Sequence, residues 1–321
     1  MSMTRTRLTR HADPDAHVAA TWEKVVLLLV VTLPLVATAA AVLLLWNRWV
    51  TWLDVGIFAG MYVITACGIG VGFHRMLTHR SFESDYPAVR FVFLAMGSMA
   101  LQGPAVEWAA THVKHHAKSD KEGDPHSPLE GFWHAHVGWL FRDRLIKSGV
   151  WAKPFENDKV AHAVDNQFWL WAILSFALPG LAGLAIGHTW GAFWSAVLWG
   201  GLVRLAIGHH VTWSVNSVCH TFGQREFESN DESRNEWVVG LLGLGEGWHN
   251  NHHAFPKAAY HGMKWYQIDF NAYVIRVLRR VGLVKNVWMP KREDMDARRV
   301  KRSSQGVGGP AATLGLAPRG R

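Results

Sequence analysis

Four long apolar stretches punctuate an otherwise polar chain. Val25 to Trp46 is uncharged, and the second stretch, about Val50 to Phe73, carries only Asp54, near its start. Phe168 to Gly187 is uncharged, and Trp190 to about His210 carries one charge, Arg204, near its end. A helix needs ~20 apolar residues to cross a bilayer, so each stretch predicts a span. Asn47-Arg48-Trp49 links the first two, and Gly187-His188-Thr189 the last two. Arg204 is expected to snorkel towards the interface, and Trp46, Trp49 and Trp52 to form an interfacial belt. Phe91 to Leu101 is too short to span and predicts a buried or interfacial helix. Val106 to Ala117 and Met263 to Val281 read as further helices.

The fold class that follows is an all-α integral membrane protein with four transmembrane helices. Residues 1–24 form a polar segment. Residues 25–285 form the membrane domain, with spans at about 25–46, 50–73, 168–187 and 190–210 and polar regions at 74–167 and 211–285. Residues 286–321 form a basic tail, Gly/Pro/Ala-rich towards its end, most of it expected to lack fixed structure. No small-residue cleavage site follows a short apolar core, so no signal peptide is read.

Charge orients this arrangement. From Arg276 to Arg321 there are twelve Lys/Arg against three acidic residues. Anionic lipid or an anionic substrate suits that charge better than nucleic acid, because no recognition module accompanies it. The short links hold one Arg between them, whereas the N-terminal segment and the polar regions hold nearly all other basic residues. The positive-inside rule then predicts a multi-pass protein with both termini and both polar regions in the cytoplasm. Two cysteines, Cys67 and Cys219, are too few for a disulfide framework and suit a reducing side.

Histidine changes the picture most. Of 19 His, eight cluster as His74 and His79, then His112, His115 and His116, then His249, His252 and His253, and His220 adds a ninth. All follow the predicted cytoplasmic ends of spans, so the topology gathers them on one face. Residues i, i+3 and i+4 share a helix face, which suits each triplet. His74 and His79, five apart, predict either two different metals or a distorted helix. Nine imidazoles exceed what one metal takes and suit two, but imidazole binds Zn, Cu, Fe and Ni alike. Asn216 precedes His220 by four residues and can face the same way. Glu107, Asp120, Asp124 and Glu246 are candidates to orient the rings. His11, His17, His162, His188 and His261 read as ordinary surface or satisfied core residues. His209 and His210 are either interfacial or site-lining.

The segments H-R-M-L-T-H-R-S-F, H-V-K-H-H and G-E-G-W-H-N-N-H-H-A-F-P resemble the three histidine boxes of membrane fatty-acyl desaturases, most closely the acyl-CoA (stearoyl-CoA) Δ9 type. Asn216-Ser217-Val218-Cys219-His220 resembles the N-S-x-x-H motif of that family, and Asp124-Pro125-His126 and His136-Val137-Gly138-Trp139-Leu140 match two further segments. The resemblance covers roughly residues 25–285. It implies a cytoplasmic helical cap over the four spans, holding a histidine-rich di-iron site. The implied ligands are His74, His79, His112, His115, His116, His220, His249, His252 and His253, with Asn216 reaching one iron through water. Ala110 stands where vertebrate members carry an Arg, which weakens any transfer of coenzyme A contacts.

The implied reaction is O2-dependent desaturation of a long saturated acyl chain, as acyl-CoA at the Δ9 position, with two Fe ions (Fe2+/Fe3+) as cofactor. A separate electron donor, of ferredoxin/reductase or cytochrome b5 type, is expected because the tail shows no haem-binding pattern. A dry, bent tunnel would measure the chain, and Phe58, Met61 and Tyr62 are candidates to close it. The alternatives are a histidine-box hydroxylase of a lipid or alkane and, from another class, a metal transporter. Transporters place ionisable groups inside their spans, and these spans carry almost none.

Overall fold

A computed structural model describes residues 19–45, 50–142 and 149–301. The 47–49 link, Trp46, His11, His17 and the end of the tail lie outside the described residues. The described chain is helical, and four helices are long and apolar enough to cross a membrane: Thr21–Leu43, Trp52–Thr78, Phe168–Gly187 and Trp190–Ser217. Helix α1 (Thr21–Leu45) forms the first. Helix α2 (Trp52–Cys67) starts the second, where Thr51 and Asp54 form a capping box. That box explains an acid at the mouth of an apolar run. The span then continues without a break as a π-helix, Gly68–Thr78.

The third span, α7 (Phe168–Gly187), ends on His188, which is exposed and left-handed at φ 54°. Thr189 then caps α8 (Trp190–Ala196), so the tight turn is built by its own residues. The fourth span is α8, a second π-helix at Val197–Val203, and α9 (Arg204–Ser217). Leu28, Leu43, Ile173, Leu181 and Trp194 point outward, as lipid-facing residues should.

The cap comes from two stretches of chain. The first holds α3 (Pro87–Ser98), α4 (Ala105–Lys118), α5 (Phe132–His136) and α6 (Lys159–Asp165). The second holds α10 (Trp237–Leu242), α11 (His249–Ala254), α12 (Phe270–Arg280) and α13 (Arg292–Ala297). The main core lies where the first π-helix meets the cap. Phe73, Val71 and Leu77 pack there with Leu94 of α3, Ala109 of α4, Phe155, and Ile275 of α12. Burying a side chain of Phe or Leu size contributes roughly 1.5–3 kcal/mol, so this junction fixes the cap on the spans.

Two sequence expectations are corrected, those for Arg204 and for the Met263–Val281 helix. Arg204 does not snorkel. It is buried, and its guanidinium donates to Gly200 O, Met99 O, Ser175 O and Ser175 Oγ at 2.6–3.2 Å. Charge-assisted bonds of this kind offset the cost of desolvation. His209 and His210 also point inward, His209 Nε2 to Ala100 O (2.8 Å) and His210 Nδ1 to His136 Nε2 (3.0 Å). The Met263–Val281 helix begins only at Phe270. Before it, Gln267 accepts from Met263 N and Lys264 N, and Asp269 from His261 N and Gly262 N, which holds that segment as turns. Residues 286–301 lie against the cap, for example through Trp288 N to Ser81 O (2.9 Å).

Candidate metal centre

The nine clustered histidines converge where the first π-helix, α4, the end of α9 and α11 meet. They fall into two groups, His74, His79, His112, His116 and His252, and His115, His220, His249 and His253. Within each group, one ring nitrogen per residue lies within 4.8 Å of all the others. Two helices feed both groups. On α4 the i,i+4 pair His112/His116 joins the first group and His115 the second. On α11 the pair His249/His253 joins the second and His252 the first. The triplets thus do not each serve one metal, because rings that share a broad face still diverge enough to point at two centres.

His74 and His79 enter the same group because the helix changes pitch. A π-turn closes i→i+5, and His79 N donates to His74 O at 3.1 Å. Their ring centroids lie 4.8 Å apart. Tight packing favours this pitch: a Cβ on Gly68 would sit 2.1 Å from Gly97 N of α3, and one on Gly70 2.0 Å from Asn271 Nδ2.

The protonation pattern then decides what the pockets accept. His74 Nδ1 meets Glu246 Oε2 at 2.5 Å, His115 Nδ1 meets Asp124 at 2.9 Å, His220 Nδ1 meets Asp120 at 2.9 Å, and His253 Nδ1 meets Asp231 at 2.6 Å. Each carboxylate holds the ring proton on Nδ1 and leaves Nε2 a bare lone pair. Those lone pairs point into the groups, with His74 Nε2 3.0 Å from His252 Nε2 and His220 Nε2 3.0 Å from His249 Nε2. His115 Nε2 and His253 Nε2 are buried without any partner. Converging lone pairs repel unless a cation sits between them, so the donor set fits a metal in each group.

Electrostatics agree. Burial pushes His112, His115, His116, His249 and His252 well below the usual imidazole range, which keeps them neutral and able to ligate. Burial alone would raise Glu246, but Arg75 and His74 hold it well below the usual carboxylate range. Burial would likewise raise Asp120 and Asp231, but hydrogen bonds from His220 and His253 lower both.

Among the candidate orienting acids, Asp120, Asp124 and Glu246 touch histidines of the two groups, whereas Glu107 lines a cleft beside them. Two residues escaped sequence reasoning. Asp231 holds His253 from a polar loop with no periodic signal. His261, read as ordinary, is fully buried with neither ring nitrogen hydrogen-bonded, its Nδ1 3.7 Å from Glu246 Oε2 and its ring 4.6 Å from His252 and 5.2 Å from His74. A lone His eight residues past a cluster gave no local hint of either contact.

A family model described as fatty acid desaturase matches residues 47–283. The chain belongs to the fatty acid desaturase family. It is 40% identical over 243 residues to the sn-1 stearoyl-lipid 9-desaturase of Synechocystis sp., covering 75% of this chain and 73% of the relative. It is 38% identical over 245 residues to the acyl-CoA C20 Delta5-desaturase of Anemone leveillei, covering 75% of each. It is 35% identical over 280 residues to the hex-5-enoyl-[acyl-carrier protein] acetylenase of Moorena producens, covering 84% of this chain and 87% of the relative. The chain is therefore an oxidoreductase, and this sets the metal-transporter reading aside.

Two spaces meet at the centre of this desaturase. An inner cavity of about 80 Å³ runs between the second and fourth spans, from His74, His112 and His249 to Tyr62. Tyr62 Oη donates to Leu242 O (2.7 Å), and Phe58 stacks on its ring at 6.0 Å. Met61 is buried, and of the three predicted closing residues only Tyr62 lines the cavity. An outer cleft of about 580 Å³ adjoins it. Gln102, Trp108, His112, His209, Thr212 and Asn216 line both spaces. At this neck Gln102 donates to Thr212 Oγ1 (2.9 Å) and accepts from Trp108 Nε1 (3.2 Å).

Proposed function

We propose that this desaturase inserts a cis double bond into a long saturated acyl chain at a di-iron centre. His74, His79, His112, His116 and His252 hold one iron. His115, His220, His249 and His253 hold the other, with Asn216 beside it through water. The observation that supports this most is the convergence of nine imidazole nitrogens beside the inner cavity, with His112 at the neck and His74 and His249 on the inner wall, where a threaded chain passes the metals. Two irons, when bound and reduced, supply O2 activation: two hydrogens leave the chain, and O2 with two external electrons and two protons becomes water.

The protein's own residues then do the positioning. The carboxylates fix His74, His115, His220 and His253, and the Thr212–Gln102–Trp108 bridge clamps the neck, which orients one C–C bond. The apolar wall of Ile69, Leu205 and Val215 keeps water from the inner chain. The Δ9 position and a thioester of coenzyme A are readings from the resemblance. The relatives' names include coenzyme A, carrier-protein and lipid forms. Electrons come from a separate ferredoxin- or cytochrome b5-type donor, and the cap faces the cytoplasm. The test is metal analysis with product analysis of the purified chain given O2 and reductant. The expected result is about two irons per chain and an unsaturated product. A hydroxylated chain as sole product would instead establish the hydroxylase alternative.

A further inference from the structure

The outer cleft opens sideways into the region of the spans. One face of α1 lines it with Trp22, Val26, Leu27, Val30 and Val31, and the start of α7 lines it opposite with Trp169 and Ala172. Val31 lies ten residues along α1, a rise of ~15 Å, which is about half of a ~30 Å hydrocarbon layer. The groove therefore reaches from the head-group level to the bilayer middle. Trp22 and Trp169, 61% and 62% exposed, flank its mouth, where Trp sits at a membrane interface. Inward, the same cleft reaches His112 and Asn216 at the neck.

A soluble thioester needs a mouth that opens to water and cations for its phosphates. Among the described lining residues, the side chains charged at neutral pH are Glu23, Glu107 and Asp165. Asp165 accepts from Ala105 N (2.7 Å) and Val106 N (3.0 Å), so it is built into the wall. The indoles at the mouth suit a neutral or zwitterionic head, and the apolar groove suits a chain that remains in the bilayer.

On the desaturation reading above, we propose that the substrate is an acyl chain of an intact diacyl glycerolipid with an uncharged or zwitterionic head. The lipid enters laterally between α1 and α7. One chain passes the neck into the inner cavity, and its sister chain lies along Val26 to Val31.

Two measurements on the iron-loaded full chain in vesicles test this. In the first, phosphatidylcholine carrying a diazirine in one acyl chain is photolysed and the labelled peptides are mapped. Labelling concentrated at Val26, Leu27, Val30, Val31 and Ala172 is expected. Equal labelling of the outward Leu28, Leu29 and Ile173 would overturn the portal. In the second, distearoyl phosphatidylcholine, the matching monogalactosyl lipid and stearoyl-CoA, each with a different isotope label, compete in one reaction with O2 and reductant. The double bond is expected first in a lipid pool, at least tenfold ahead of the thioester, and Val30→Trp should cut that lipid product tenfold with iron content unchanged. Products appearing first in the CoA pool would overturn the proposal and leave the desaturation reading standing. Groove labelling with only hydroxylated lipid would support the portal and overturn the desaturation reading.

Discussion

Four of the nine metal-facing rings, His74, His115, His220 and His253, carry a carboxylate on Nδ1, so the acids behind those rings matter as much as the rings. Asp231 serves only the second group, and removing such a partner typically costs 10–100-fold in metal affinity or activity. Asp231→Asn keeps the size but loses the charge that holds the His253 proton. It should lower iron content towards one per chain and reduce turnover ~10–100-fold; full iron occupancy with normal turnover would show that the contact is incidental. Eight of the nine histidines were legible because they cluster in sequence, and His220 because it closes an N-S-x-x-H segment. Asp231 and His261 were not, because each meets its group only through the fold: Asp231 touches His253 from 22 positions away. His261 packs against a ring 187 positions earlier, that of His74.

At the level of elements, the first π-helix is the part that sequence periodicity half revealed. A five-residue spacing conflicts with an α-helical face, and that conflict marked a distortion without giving its form. The form depends on how closely α3 and α12 approach Gly68 and Gly70, which no local pattern records. Gly70→Ala would place a Cβ 2.0 Å from Asn271 Nδ2 and 2.8 Å from Glu246 Oε1. It should displace Glu246 from His74, lower the melting temperature and deplete the first iron. Gly56, on the same span, has nothing within 4 Å of such a Cβ. Gly56→Ala should therefore be neutral or gain up to ~1 kcal/mol from helix propensity. Equal melting temperatures and equal iron in the two variants would refute this assignment of the close contact.

For the whole molecule, hydropathy alone foretold the four spans, because crossing a bilayer imposes length and composition together. The cap was less legible, since its helices are short and the first amides of α4 are held by Asp165, 60 positions from Ala105. The depth of the inner cavity belongs to this scale because it depends on two spans and on α10. Tyr62 stands at its end, anchored to Leu242 O. Tyr62→Ala should extend the cavity and shift selectivity to chains two or more carbons longer, read by gas chromatography of products from a homologous series. Unchanged chain preference would place the end of the chain elsewhere.

The division of α4 and α11 between both groups also sets an order of manufacture. Neither group is complete until α11 exists, and α11 follows all four spans. At ~5–20 residues per second of synthesis, His253 emerges on the order of 10 to 35 s after His79. A partly made chain already sits in the membrane through that interval with unfinished metal pockets. Completion of the metal pockets is thus a late step in the life of this enzyme, and a chain stopped short of α11 holds neither group whole.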